Sequence, residues 1–199
     1  MATMTPKILD RDLAWLRSLP DTPIAGAPPA WAAWYADRAD HAVRHWPAER
    51  LTPDVLARLV AVVATSPEYA DRAVRDWPAE RLTPDALAQL VAAVATSPEY
   101  AGYAVCYWPA KRLTPDTLAR LVGAVATSPK CASRAVRYWP AERLTPDALA
   151  RLVAAVATSP KYAYRAVCDW PAERLTPDVL AQLVAAVATS PEYAGYAVC

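Results

Sequence analysis

Strong charge, long apolar runs and the usual catalytic residue types are what this 199-residue chain has least of. Lys and Arg number 21 against 20 for Asp and Glu, a formal net charge of +1. Electrostatic capture of nucleic acid or of an anionic lipid surface normally needs a clear surplus of Lys and Arg, so the totals count against both. No apolar run approaches the roughly 18 residues of a membrane span, so neither a transmembrane helix nor a membrane partner is expected. Met1 to Asp10 has no basic segment leading into an apolar stretch and a small-residue cleavage site. A cytoplasmic location is therefore expected by default.

Histidine is scarce: only His41 and His45 occur. No Ser/His/Asp or Cys/His set, paired-carboxylate cleft or Gly-rich phosphate loop can be picked out, so the chain reads as a non-enzyme without cofactor or metal. His41 and His45 lie at i, i+4, but no third ligand accompanies them. Of the four cysteines, Cys106, Cys168 and Cys199 recur at one repeat position. Packed neighbouring helices lie about 8 to 10 Å apart, whereas a disulfide needs Cα atoms within about 7 Å. Free thiols are expected.

What the chain does have is a period. Trp46, Trp77, Trp108, Trp139 and Trp170 stand 31 residues apart, each followed by Pro-Ala and shortly afterwards by Leu-Thr-Pro-Asp. A fixed period of about 20 to 50 residues marks an array whose units bury their apolar faces only by stacking. Full units run over 51–81, 82–112, 113–143 and 144–174, a partial one over 175–199, and 35–50 matches the second half of a unit. Lys7 to Leu19 has helical apolar spacing and Pro20 to Pro29 reads as a loop, so 1–34 is assigned as an N-terminal cap. The fifth unit stops at Cys199, before its expected Trp-Pro. Either the natural array is longer or this end packs on another copy.

Within Leu82 to Arg112, Thr83-Pro84-Asp85 is a helix start: a Thr N-cap, Pro at the first helical position, and Asp where the helix dipole favours an anion. Leu87, Leu90, Val91 and Val94 then fall on one helical face, and Ala88, Ala92, Ala93 and Ala95 allow close packing. Thr96-Ser97-Pro98-Glu99 starts a second helix with Ser97 as its cap, giving an α-hairpin. Ala101, Ala104, Val105 and Trp108 form the inner face of that helix, Pro109 ends it, and Pro109 to Leu113 is the linker. The fold predicted is all-α, a right-handed α-solenoid of two-helix repeats.

Leu-Thr-Pro-Asp-x-Leu-Ala-x-Leu-Val in one helix and Ala-x-x-Ala-Val in the other resemble the α-solenoids of the HEAT class. Among these the leucine-rich-variant repeats are the nearest in pattern. Leu-Thr-Pro-Asp is also similar to the opening of TAL-effector DNA-binding repeats, which read bases from a Gly-containing loop after the first helix. Here Ala93-Val94 occupy that place as helix core and no Gly-Gly follows, so base reading is not carried over.

Core positions hardly change between units, whereas the second helix varies in columns. The first column reads Asp40, Asp71, Gly102, Ser133, Tyr164, Gly195, and the second His41, Arg72, Tyr103, Arg134, Arg165, Tyr196. The third reads Arg44, Arg75, Cys106, Arg137, Cys168, Cys199, and the fourth His45, Asp76, Tyr107, Tyr138, Asp169. With Glu68, Glu99, Lys130, Lys161 and Glu192, these positions follow helical spacing and form the face opposite Ala-Ala-Val-Trp. Ala48-Glu49-Arg50 and Asp54, read as exposed, hardly vary, so the variation is localised. Its Tyr, Arg, Asp, Ser and Gly also resemble the palette of a binding surface.

The expectation is therefore a non-enzymatic scaffold that holds a protein or peptide partner on the second-helix stripe. Tyr103, Tyr107, Arg134, Arg137, Tyr138, Tyr164 and Arg165 are its expected anchors. Single-stranded nucleic acid, with Tyr stacking and Arg meeting phosphate, is the alternative, and the zero net charge of the stripe weighs against it. End-to-end self-association through the C-terminal end is a third possibility.

Overall fold

The computed structural model describes residues 29–195, and within them every regular element is helical. The helix expected over Lys7 to Leu19, nearly all of the Pro-rich loop, and Tyr196 to Cys199 lie outside the described residues. Eleven α-helices are present among the described residues. The first is α1 (Pro29–His45), which begins at the proline that closes the expected loop and runs through the division placed between cap and half repeat. Four hairpins follow: α2 (Pro53–Val63) with α3 (Pro67–Asp76), α4 (Pro84–Val94) with α5 (Pro98–Tyr107), α6 (Pro115–Val125) with α7 (Pro129–Tyr138), and α8 (Pro146–Ala157) with α9 (Pro160–Asp169). A fifth pair is formed by α10 (Pro177–Ala188) and the single turn α11 (Pro191–Ala194).

The local chemistry repeats with the sequence. Each first helix from α2 to α10 opens on a Thr whose hydroxyl accepts from the backbone N–H three residues on, at 3.2 Å in the case of Thr83 and Ala86. A second Thr closes it. Thr65, Thr96, Thr127, Thr158 and Thr189 each donate a 2.7 Å hydrogen bond to the carbonyl three residues back, a second donor beside the same residue's backbone N–H. Ser97 and Ser128 accept weakly at the start of α5 and α7, whereas Ser66, Ser159 and Ser190 make no side-chain cap, so there the proline at the first helical position starts the helix. The second helices stop at Trp because the following proline forces that residue into extended backbone. A 3₁₀ turn then leads to the next Leu-Thr-Pro-Asp.

First helices stack on first helices and second on second, making a two-layer α-solenoid. The closest packing is not within a hairpin, as the α-hairpin reading expects, but between each second helix and the first helix of the next repeat. The short Thr-Ser connection joins two helices that diverge, whereas the Trp-Pro linker folds the next helix back onto the one before it. The core at that junction consists of Leu59, Leu90, Leu121, Leu152 and Leu183, the valines four residues beyond them, and the small inner residues of the second helices. Ala88 and Ala92 face solvent, and of the alanines expected to allow close packing Ala93 is buried and Ala95 half-buried.

Two side chains of each linker reach back one repeat. The Trp77 and Trp108 indoles, each 1% exposed, sit against the preceding repeat. Trp77 Nε1 donates to Asp40 Oδ1 (2.7 Å), Trp108 to Asp71 Oδ1 (2.8 Å), Trp139 to the Gly102 carbonyl (3.1 Å) and Trp170 to the Ser133 carbonyl (3.1 Å). The linker arginine, four residues after the tryptophan, donates to the carbonyl of the previous tryptophan: Arg81 to Trp46 (3.0 Å), Arg112 to Trp77 (2.7 Å), Arg143 to Trp108 (3.3 Å) and Arg174 to Trp139 (3.3 Å). Arg81 and Arg143 also bond the Val43 and Val105 carbonyls, placing a cation on the C-terminal end of a helix, where the dipole favours it. This corrects the reading of the linker as freely exposed: Arg112 is buried, and Arg50, Arg81, Arg143 and Arg174 are half-buried.

Trp108→Ala removes a buried ring and leaves Asp71 without its donor, and should lower unfolding free energy by about 3 to 5 kcal/mol. Arg112→Ala should cost about 1.5 to 3 kcal/mol, the range for hydrogen bonds to charged groups. Urea denaturation of the purified chain checks both, and unchanged midpoints would contradict the clamp.

Candidate surface on the second helices

The variable columns separate in space. The first lies between successive second helices rather than on the outer face. Asp40 is fully buried and Asp71 is 7% exposed, while Gly102, Ser133 and Tyr164 are half-buried. Asp71 is thus corrected from a surface position to a structural one: its carboxylate is the acceptor for the Trp108 indole. Where the column holds Gly102 or Ser133, the backbone carbonyl of that residue takes the indole N–H instead, using its second lone pair. At these two positions the backbone supplies the acceptor, so the indole does not depend on the side chain there. Tyr164 packs against the core, with its ring 5.9 Å from that of Tyr193.

The other three columns are outward. Tyr103, Arg134 and Arg165 are exposed in the second and Arg72 is half-buried; Arg75, Arg137 and Cys168 are exposed in the third and Cys106 is half-buried; Asp76, Tyr107, Tyr138 and Asp169 are exposed in the fourth. Tyr107 and Tyr138 are left 64% and 63% exposed. The columns of neighbouring repeats interact. Lys130 Nζ lies 3.7 Å from Glu99 Oε1, and Arg137 lies 3.1 Å from Asp169. On α3, Arg75 lies 2.9 Å from Asp76 and 3.8 Å from Asp71, and Arg72 stacks over Tyr69.

Two depressions flank α7. One, of about 400 Å³, lies between α5 and α7, with Tyr103, Tyr107, Tyr138 and Arg134 around it and Cys106 and Cys131 in its wall. The other, of about 340 Å³, lies between α7 and α9 and carries Lys130, Arg134, Arg137 and Arg165 against Asp169. Arg134 and Tyr138, one turn apart on α7, border both, so the two form one surface. Burial pushes the Cys106 thiol up from its ordinary value, opposed by Arg143, so at neutral pH it is a protonated, weakly polar group rather than a nucleophile. Cys106, Cys131 and Cys168 are free thiols, and Cys199 lies outside the described residues. The His41 and His45 rings lie 4.4 Å apart on α1, and no group of three metal-ligating side chains occurs among the described residues.

The chain matches no protein-family model, no curated protein and no solved structure. Among the described residues no helix is long and apolar enough to cross a membrane.

Burial raises the Asp71 pKa, with the Trp108 hydrogen bond and Arg75 acting in the opposite sense. A folded value above the unfolded one means that the native state holds the proton more tightly. Stability from this group is therefore greatest below the unfolded value and declines as pH rises through the folded one. Asp71→Asn keeps an oxygen acceptor for the indole and should flatten the decline in that interval. Asp71→Ser, which copies the arrangement at Ser133, should cost less than about 1 kcal/mol, the scale of one net hydrogen bond. Denaturation midpoints measured across the acid range check both, and an unaltered slope in Asp71→Asn would contradict the assignment.

Proposed function

We propose that the chain is a non-enzymatic recognition scaffold, in the manner of the HEAT-like solenoids its repeats resemble, and that it holds a protein or peptide partner on the outer ridges of its second helices. The observation that carries this reading is the separation of variable from constant positions. The core Leu and Val of the first helices, the Trp and the linker Arg are constant, while three largely outward columns carry exposed Tyr and Arg on adjoining ridges. Tyr103, Tyr107 and Tyr138 supply broad, rigid contact area at little cost in rotamer entropy, which is what a protein-binding surface favours. The intervening depressions give side chains of a partner somewhere to go.

A single-stranded nucleic acid is the second reading, supported by the cations beside tyrosines on α7 and α9.

The test is a pull-down from lysate, with and without nuclease, using this chain beside a Tyr103→Ala, Tyr107→Ala, Tyr138→Ala variant. The exposed substitutions should each change stability by no more than about 0.5 kcal/mol, so the fold persists. A protein captured by the parent and lost by the variant, whatever the nuclease, is the expected result. Capture abolished by nuclease would favour nucleic acid. Equal capture by both chains would remove the stripe from the mechanism.

A further inference from the structure

The charge of the second helices is uneven along the array, with its positive maximum on α7, although the whole chain is nearly neutral. On α3, Glu68, Asp71 and Asp76 outnumber Arg72 and Arg75. On α5, Glu99 is the only charged residue and the surface is aromatic. On α7, Lys130, Arg134 and Arg137 stand with no carboxylate on the same helix, and α9 adds Lys161 and Arg165 to Asp169. Summing over all repeats hides this, because the acidic repeats cancel the basic ones. Cross-helix pairing occupies two of the cations: Glu99 approaches Lys130, and Asp169 approaches Arg137. Arg134 and Arg165 keep no such partner, and both border the depression between α7 and α9. Beside it, across Tyr138, is the aromatic depression of about 400 Å³.

We propose that this surface takes an extended acidic peptide, with an apolar side chain seated among Tyr103, Tyr107 and Tyr138 and carboxylates set against Arg134 and Arg165. The inference rests on the reading of the stripe as a recognition surface and names the chemistry of the partner. At about 400 Å³ the aromatic depression is at the small end of ligand-sized clefts, with room for an apolar side chain. Guanidinium groups meet carboxylates in a planar, two-point geometry, and two unpaired arginines can accommodate one or two acidic side chains. Spacing sets the register. Packed helices lie about 8 to 10 Å apart and an extended chain advances about 3.3 Å per residue. Arg134 borders the aromatic depression itself, so it is the carboxylate set against Arg165, one helix further on, that falls about three residues from the apolar anchor.

A nucleic-acid strand fits the same surface less well. Its phosphates recur at every nucleotide, so a strand tracking the array would run from α7 onto the carboxylates of α3 and Glu99, where repulsion replaces attraction. An acidic peptide has its charge where its sequence puts it and can end in neutral residues over α5 and α3.

The experiment is selection of a displayed random dodecapeptide library on the full chain. It is repeated on the tyrosine triple variant and on an Arg134→Ala, Arg165→Ala variant, with oligothymidylate binding measured in parallel. The expected pool is enriched in Asp and Glu about three residues from an apolar residue. Its capture should fall on the order of ten-fold on the arginine variant, the effect of losing a buried Arg contact, and fall on the tyrosine variant as well. A pool that needs the tyrosines but is neutral or basic and indifferent to the arginines would overturn the acidic partner while leaving the recognition surface standing. A pool indifferent to both variants, or no enrichment, would overturn both. Oligothymidylate binding tightly through the same arginines while no acidic pool emerges would overturn the peptide in favour of nucleic acid.

Discussion

Everything in this array hangs on an indole that belongs to one repeat in sequence and to the previous one in space. Each tryptophan ends a second helix, is turned by the following proline, and places its ring where two repeats meet. A ring of that size stabilises the junction substantially through its buried apolar area, but its N–H would cancel part of the gain if it found no acceptor. The previous repeat supplies one, from a carboxylate at Asp40 and Asp71 and from the backbone at Gly102 and Ser133. The linker arginine completes the joint by covering the carbonyls at the end of the preceding helix. A hydrophobic contact fixes the distance between repeats, and directional polar contacts fix their rotation.

That joint explains which positions are free to vary. A column whose side chain must satisfy a buried donor would be expected to stay constant, and in the first two repeats it holds Asp. Where the main-chain carbonyl takes the indole, at Gly102 and Ser133, the side chain is released from that duty. The outer columns were never tied. Their variety of charge and aromaticity therefore reflects the surface they form, and neighbouring ridges communicate through pairs such as Lys130 with Glu99 and Arg137 with Asp169.

Most of the scaffold was legible in the sequence because its signals are local. Thr-Pro-Asp and Ser-Pro-Glu start helices, Trp-Pro ends them, and Leu90, Val91 and Val94 mark the buried face by spacing alone. The junctions were less legible because they depend on residues 35 to 38 apart. A period shows that Arg112 and Trp77 recur, but not that one reaches the other. Asp71 was misplaced for the same reason: helical spacing puts it beside Arg72 on a polar face, and only the stacked neighbour shows that a buried indole lies above it. The recurrence of an arginine before every Leu-Thr-Pro-Asp was the available signal for the clamp. The uneven charge of the second helices was present in the sequence too, but a total over columns averages it away, and only the depressions beside α7 show which cations stand together.

The joint also has a direction. The Trp77, Trp108, Trp139 and Trp170 indoles and the Arg81, Arg112, Arg143 and Arg174 guanidinium groups all reach toward the N-terminus, and none of these ties waits on a repeat that comes later in the chain. A repeat emerging during synthesis thus meets its polar partners already in place, and the array can be laid down in the order in which it is translated.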